Sequence, residues 1–118
     1  MLNEDRPTIL PDLTVPMDKV HWEKLRCEAQ AASDVLKAIS HEGRLMILCA
    51  LTRGEKSVAE IETLLSQRQA AVSQQLARLR LEGLVTARRD GKQIYYRLTD
   101  DRAARIIELV YELFCAEG

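Results

Sequence analysis

The stretch SVAEIETLLSQRQAAVSQQLARLRLEGLVTARRDGKQIYYRL, Ser57 to Leu98, decides the fold. Ser57-Val58-Ala59-Glu60 has the S-x-x-E spacing in which a hydroxyl and a carboxylate satisfy each other's backbone N–H groups at a helix start. The helix it opens turns Val58, Ile61, Leu64 and Leu65 inward and ends near Ser66. A second helix, from about Gln69 to Glu82, buries Val72, Leu76 and Leu79 and leaves Ser73, Gln74, Gln75, Arg78 and Arg80 off that stripe. Gly83 stops it. Leu84–Arg89 then meets Lys92–Leu98 across Asp90-Gly91, a strong short-range signal for a tight hairpin. Two short helices followed by a basic hairpin is the order of a winged helix-turn-helix, in which the first helix buttresses and the second enters the major groove.

Working outward, His41 to Arg53 is apolar almost all the way round at Leu45–Leu51 and is followed by Gly54, which predicts a buried central helix. Before it, Leu25, Ala29, Ala32, Leu36 and Ile39 follow helical spacings, predicting a helix over roughly Asp18 to Ser40 with Trp22 anchoring its first part. After the hairpin, Thr99 is placed to cap a last helix, Asp100 to about Ala116, with Ala103, Ile106, Ile107, Val110 and Phe114 as its apolar stripe. Residues 1–16 hold Pro7, Pro11 and Pro16 and no sustained periodicity, so a flexible N-terminal arm is expected there, with one domain over 17–118. The fold class is mainly α with a small β-hairpin wing.

A net charge of −1 conceals an asymmetry. From Ser66 to Arg97 there are seven basic residues against two acids, while the remainder carries ten basic and sixteen acidic residues. A basic segment in an otherwise acidic chain points to a local anionic partner, double-stranded DNA. Gln69, Ser73, Gln74 and Gln75 can exchange hydrogen bonds with base edges, Arg78 and Arg80 can reach phosphates or guanine, and Arg88, Arg89 and Lys92 on the wing neutralise backbone charge. The sequence has no Gly-rich phosphate loop, and no histidine sits beside a cysteine or a paired carboxylate, so an enzyme is not expected. The longest apolar run is far short of the ~20 residues a bilayer span needs, and the acidic start lacks a signal peptide's basic flank, so a cytoplasmic protein is expected.

The sequence resembles the ArsR/SmtB family of small bacterial repressors from about Ala29 to Ala116. The resemblance is carried by His41-Glu42-Gly43-Arg44-Leu45-Met46-Ile47-Leu48, by Ala71-Val72-Ser73-Gln74-Gln75-Leu76-Ala77-Arg78-Leu79-Arg80, and by Glu82-Gly83-Leu84-Val85. It implies a homodimer paired through first and last helices, bound to an inverted-repeat operator until an inducer releases it. Arg68 stands near the start of the recognition helix, where a small cap residue is usual.

Many members of that family sense metals, but the ligands are missing here. A thiolate site in the buttress helix needs cysteines where this chain has Ser57-Val58-Ala59-Glu60-Ile61, and a carboxylate–histidine site needs histidines after Asp100 and Asp101. His21 and His41 are the only histidines, and neither has a second strong ligand at helical spacing. No metal and no cofactor is expected.

Cys27, Cys49 and Cys115 are odd in number and widely separated, which predicts thiols at rest. Taken alone, Cys49 among Leu48, Ala50 and Leu51 reads as a small core hydrophobe, whereas Cys115 lies well off the stripe centred on Val110. Periodicity cannot bring the two together across 66 residues. Their placement, with Gln93–Thr99 and the ending Phe114-Cys115-Ala116, resembles the sulfide- and persulfide-responsive SqrR and BigR type. That resemblance implies that Cys49 and Cys115 face each other within one subunit and are joined by a disulfide or a bridge of several sulfurs, with Cys27 a bystander. A repressor answering general oxidants or a thiophilic metal through the same cysteines, and a helical dimerisation module binding an acidic protein, are the alternatives.

Overall fold

The computed structural model describes residues 10–66, 69–99 and 101–115; the side chains of Gln69 and Ala70 lie outside it, as do Arg68, Asp100, Ala116 and the first nine residues of the expected arm. The chain divides into two compact units, Met1–Ala31 and Ala32–Gly118.

In the first unit, residues 10–16 are exposed, and the Asp12 carboxylate accepts from the backbone N–H and hydroxyl of Thr14. Helix α1, Lys19–Ile39, begins here. Trp22, expected as an anchor, is 51% exposed.

In the second unit the elements are α2 (Glu42–Leu51), β1 (Lys56–Ser57), α3 (Val58–Leu65), α4 (Gln69–Leu81), β2 (Val85–Asp90), β3 (Gln93–Leu98) and α5 (Asp101–Phe114). The core is built from Ala38 and Ile39 of α1, Ile47, Leu48 and Leu51 of α2, Ile61 of α3, Val72, Leu76 and Leu79 of α4, Leu84 and Val85 entering the wing, and Ala103 and Ile107 of α5. All three residues of the expected α4 stripe are buried. The α2 expectation is corrected: Ile47, Leu48 and Leu51 are buried, but Met46 and Cys49 are exposed, since a helix packed on one side keeps an open face whatever its composition. Leu64 also points outward, at 58% exposure, leaving Ile61 as the buried anchor of α3.

Local signals account for most boundaries. His41 caps α2: its backbone is extended and its Nδ1 accepts from the N–H groups of Gly43 and Arg44 at 3.1 and 3.4 Å. A Cβ on Gly43 would lie 3.1 Å from the His41 ring, so glycine makes room for that cap. The capping box of α3 is formed in full, with Glu60 N–H donating to Ser57 Oγ at 3.1 Å and Ser57 N–H donating to Glu60 Oε1 at 2.9 Å. At the end of α4, Leu84 N–H bonds Leu79 C=O and Gly83 N–H bonds Arg80 C=O, with Gly83 at φ +75°. This is the Schellman arrangement, and it turns the chain into the wing.

The sheet has the order β1-β3-β2, antiparallel throughout. Asp90 pairs with Gln93, so the two turn residues are Gly91, at φ +63°, and Lys92, one position later than the sequence pattern placed them. The third strand, β1, pairs Lys56 with Tyr96 and Ser57 with Tyr95. Two residues carry no readable alternation, so β1 was invisible in the sequence. Among the described residues, no helix is long and apolar enough to cross a membrane.

Candidate DNA interface and thiol pair

Along α4, at about 100° per residue, Gln74 falls opposite the buried Val72, Leu76 and Leu79, with Arg78 to one side of it and Ser73 and Arg80 on the other flank. All four are exposed. Arg78 Nε lies 3.8 Å from Glu82 Oε1 one turn on, a loose pair that solvent screens. Gln75 is different. It is half-buried, and its Oε1 accepts from Arg44 Nη1 at 3.1 Å. Arg44 also donates through Nη2 to Lys37 C=O at 3.3 Å and through Nε to Ala38 C=O, so one guanidinium ties the end of α1, the start of α2 and the recognition helix. Gln69 was also expected to face DNA, but its side chain lies outside the described residues.

On the wing, the three expected cations have unlike surroundings. Arg89 and Lys92 are exposed, and among the described residues neither has an ion-pair partner. Arg88 is engaged: Nε donates to Glu55 Oε2 at 2.8 Å and Nη2 to Glu55 Oε1 at 2.6 Å. Its Nη1 is 3.7 Å from Asp90 Oδ2, and its guanidinium carbon stands 4.8 Å from the centre of the Tyr95 ring. The hydrogen bonds from Arg88 hold the Glu55 carboxyl below the usual carboxylate range, and the same pairing raises Arg88. Glu55 and Arg44 are the site residues the sequence reading missed; their partners lie 33 and 31 residues away, beyond any periodic signal.

The second cluster is the thiols. Cys27, Cys49 and Cys115 are all free and exposed. Cys49 is thus not a core residue, which removes the packing explanation for it. Partial cover around its sulfur, and then the negative charge a Cys115 thiolate would place nearby, push the Cys49 thiol above its ordinary range. Helices α2 and α5 pack against each other, and Cys115 N–H, bonded to Tyr111 C=O at 2.8 Å, continues the backbone pattern of α5 by one residue. Among the described residues, no group of three or more His, Cys, Asp or Glu side chains is arranged to hold a metal.

The sequence profile described as "Bacterial regulatory protein, arsR family" matches residues 41–87, from the cap of α2 to the wing. The biofilm growth-associated repressor of Agrobacterium fabrum strain C58 is 52% identical over 106 residues, 88% of this chain and 91% of that protein. The chain belongs to the ArsR family. Among solved members of the ArsR winged helix-turn-helix fold, the transcriptional repressor BigR from Xylella fastidiosa superposes with a TM-score of 0.74 at 42% identity, covering 86% of this chain and 100% of that one. Reduced HlyU from Vibrio cholerae gives 0.75 at 37% identity, covering 80% and 99%. The ArsR assignment makes the chain a DNA-binding transcriptional regulator.

Proposed function

We propose that this protein is a homodimeric repressor that binds an inverted-repeat operator and is released when Cys49 and Cys115 are joined through sulfane sulfur. The observation that carries the sensing half is the pair itself: two free, exposed thiols, 66 residues apart in sequence, one on α2 and one just past the end of α5, two helices that pack against each other. Repression is supported by the relatives, two of which are described as repressors. Dimerisation through the first and last helices is supported by apolar side chains that the single chain leaves uncovered, Leu36 on α1 and Leu109, Leu113 and Phe114 on α5.

The chemistry balances with an organic persulfide as oxidant. A cysteine thiolate attacks the outer sulfur of R–S–SH, becomes Cys–S–SH and expels the thiolate RS⁻. When both cysteines have done so, the persulfide anion of one attacks the Sγ of the other and displaces hydrosulfide, leaving Cys–S–S–S–Cys. Two persulfides are thereby converted to two thiols and one hydrogen sulfide. Tying α2 to α5 biases the protomer geometry, and two recognition helices that must meet successive grooves then no longer do so.

The test combines operator gel shifts with peptide mass mapping after separate treatment with an organic persulfide, a peroxide and a disulfide. Persulfide is expected to release DNA and to yield a Cys49–Cys115 product containing added sulfur. Cys49→Ser and Cys115→Ser should each bind DNA without responding, and Cys27→Ser should respond normally. Full induction of Cys115→Ser, or Cys27 in the dominant crosslink, refutes the sensing mechanism and leaves operator binding standing.

A further inference from the structure

Arg88 and Arg89 are adjacent in sequence and look interchangeable as phosphate contacts, yet the strand separates them. Successive side chains of β2 point to opposite faces. Arg88 pairs with Tyr95 in the register and shares its face, while Arg89 pairs with Ile94 and shares the face of Tyr96 and Leu98, which pack against the core. On its own face, Arg88 passes over the Tyr95 ring of the central strand β3 and closes a two-point fork on Glu55, immediately before β1. One side chain therefore spans the whole three-stranded sheet, from its β2 edge to the root of its β1 edge.

We infer that Glu55 and Arg88 form a strut that sets the angle of the wing, making both positioning residues for operator binding, with the wing's phosphate contacts left to Arg89 and Lys92. The inference rests on the DNA-binding reading and deepens it. A two-stranded hairpin is marginal by itself and needs a tether to project in one direction. The third strand supplies that tether only as far as Ser57 opposite Tyr95, and from there to the Gly91-Lys92 turn the hairpin runs on two strands. The Glu55–Arg88 fork acts at the last level the third strand reaches. A bidentate guanidinium–carboxylate pair fixes direction as well as distance, which a lysine at the same place would not. A phosphate competing for Arg88 would have to break both hydrogen bonds and leave the Glu55 carboxylate beside a polyanion with only the weaker influence of Arg97 to offset it.

The sign of one substitution separates this from the alternative in which Glu55 merely masks a phosphate-binding arginine. The full chain is titrated by fluorescence anisotropy, over a series of salt concentrations, against a duplex that the wild-type protein enriches from a random pool. Glu55→Gln is expected to weaken binding, on the order of threefold, although it removes a negative charge from a DNA-binding surface. Arg88→Gln is expected to weaken it similarly with the salt dependence unchanged, and Glu55→Arg combined with Arg88→Glu to recover most of the loss. Tighter binding by Glu55→Gln, with log K against log salt steeper by about 0.9 for each phosphate gained, overturns the inference. So does a matching flattening in Arg88→Gln, or no recovery in the charge-swapped pair. A wild-type chain that enriches no duplex refutes the DNA-binding reading itself.

Discussion

Replacing Arg89 and Lys92 together by alanine removes two wing cations that no carboxylate among the described residues engages. Both side chains are exposed, and Lys92 occupies the turn itself, so the change removes charge without disturbing the core. In a dimer two wings contribute, and four neutralised phosphates correspond to a slope of log K against log salt shallower by roughly 3.6, at about 0.9 per phosphate on duplex DNA. Between about 50 and about 200 mM salt, wild-type protein should lose on the order of a hundredfold more affinity than the double variant. The assay is anisotropy with an operator duplex at several salt concentrations, with circular dichroism to check that the variant is folded. An equal loss of affinity at every salt concentration, with the slope changed by less than about one, would refute the claim that the wing tip neutralises phosphates.

Three further outcomes are expected. Gln74→Ala should relax base preference in a binding-site selection, whereas Gln75→Ala should leave preference closer to wild type, because Gln75 Oε1 is already held by Arg44. Ser57→Ala deletes the hydroxyl that accepts Glu60 N–H at the start of α3 and should cost about 1 kcal/mol, roughly 4 °C in a thermal melt, with DNA binding retained at low temperature. Because the Cys49 thiol is pushed up, its reactive thiolate fraction at neutral pH is smaller than that of an ordinary cysteine. Its alkylation by iodoacetamide, followed by mass spectrometry, should therefore lag near pH 7 and catch up as the pH rises past the usual thiol range. Cys115→Ser removes the smaller of the two causes, a charge present only where the Cys115 thiol is ionised, and should therefore bring the rise in Cys49 labelling to lower pH in the alkaline range while leaving the neutral-pH rate nearly unchanged.

The order of elements was legible in the sequence because each is written in local signals. The Ser57/Glu60 box, the Val72/Leu76/Leu79 stripe, the stop at Gly83 and the Asp-Gly turn each involve residues a few positions apart, so propensity and periodicity suffice to read them. The same locality explains the misreadings. Trp22 and Leu64 are expected inward on apolar character, but 51% and 58% of their surfaces are exposed, while Leu36 and Phe114, on the apolar stripes of α1 and α5, are 53% and 81% exposed. Periodicity finds a face; it does not say whether that face meets its own chain or a second one.

The sequence by itself determined the winged helix-turn-helix, the basic segment within an otherwise acidic chain, and which side of α4 faces outward, since these follow from residue order and side-chain spacing along single elements. Tertiary structure alone decided what similar residues do. It set Arg88 on Glu55 while leaving Arg89 clear, gave Gln75 to Arg44 while leaving Gln74 exposed, and added β1 to the hairpin. The physical reason is common to all three: each depends on a partner more than thirty residues away in the chain, whose position is fixed only when α2, α4, α5 and the sheet close around one core.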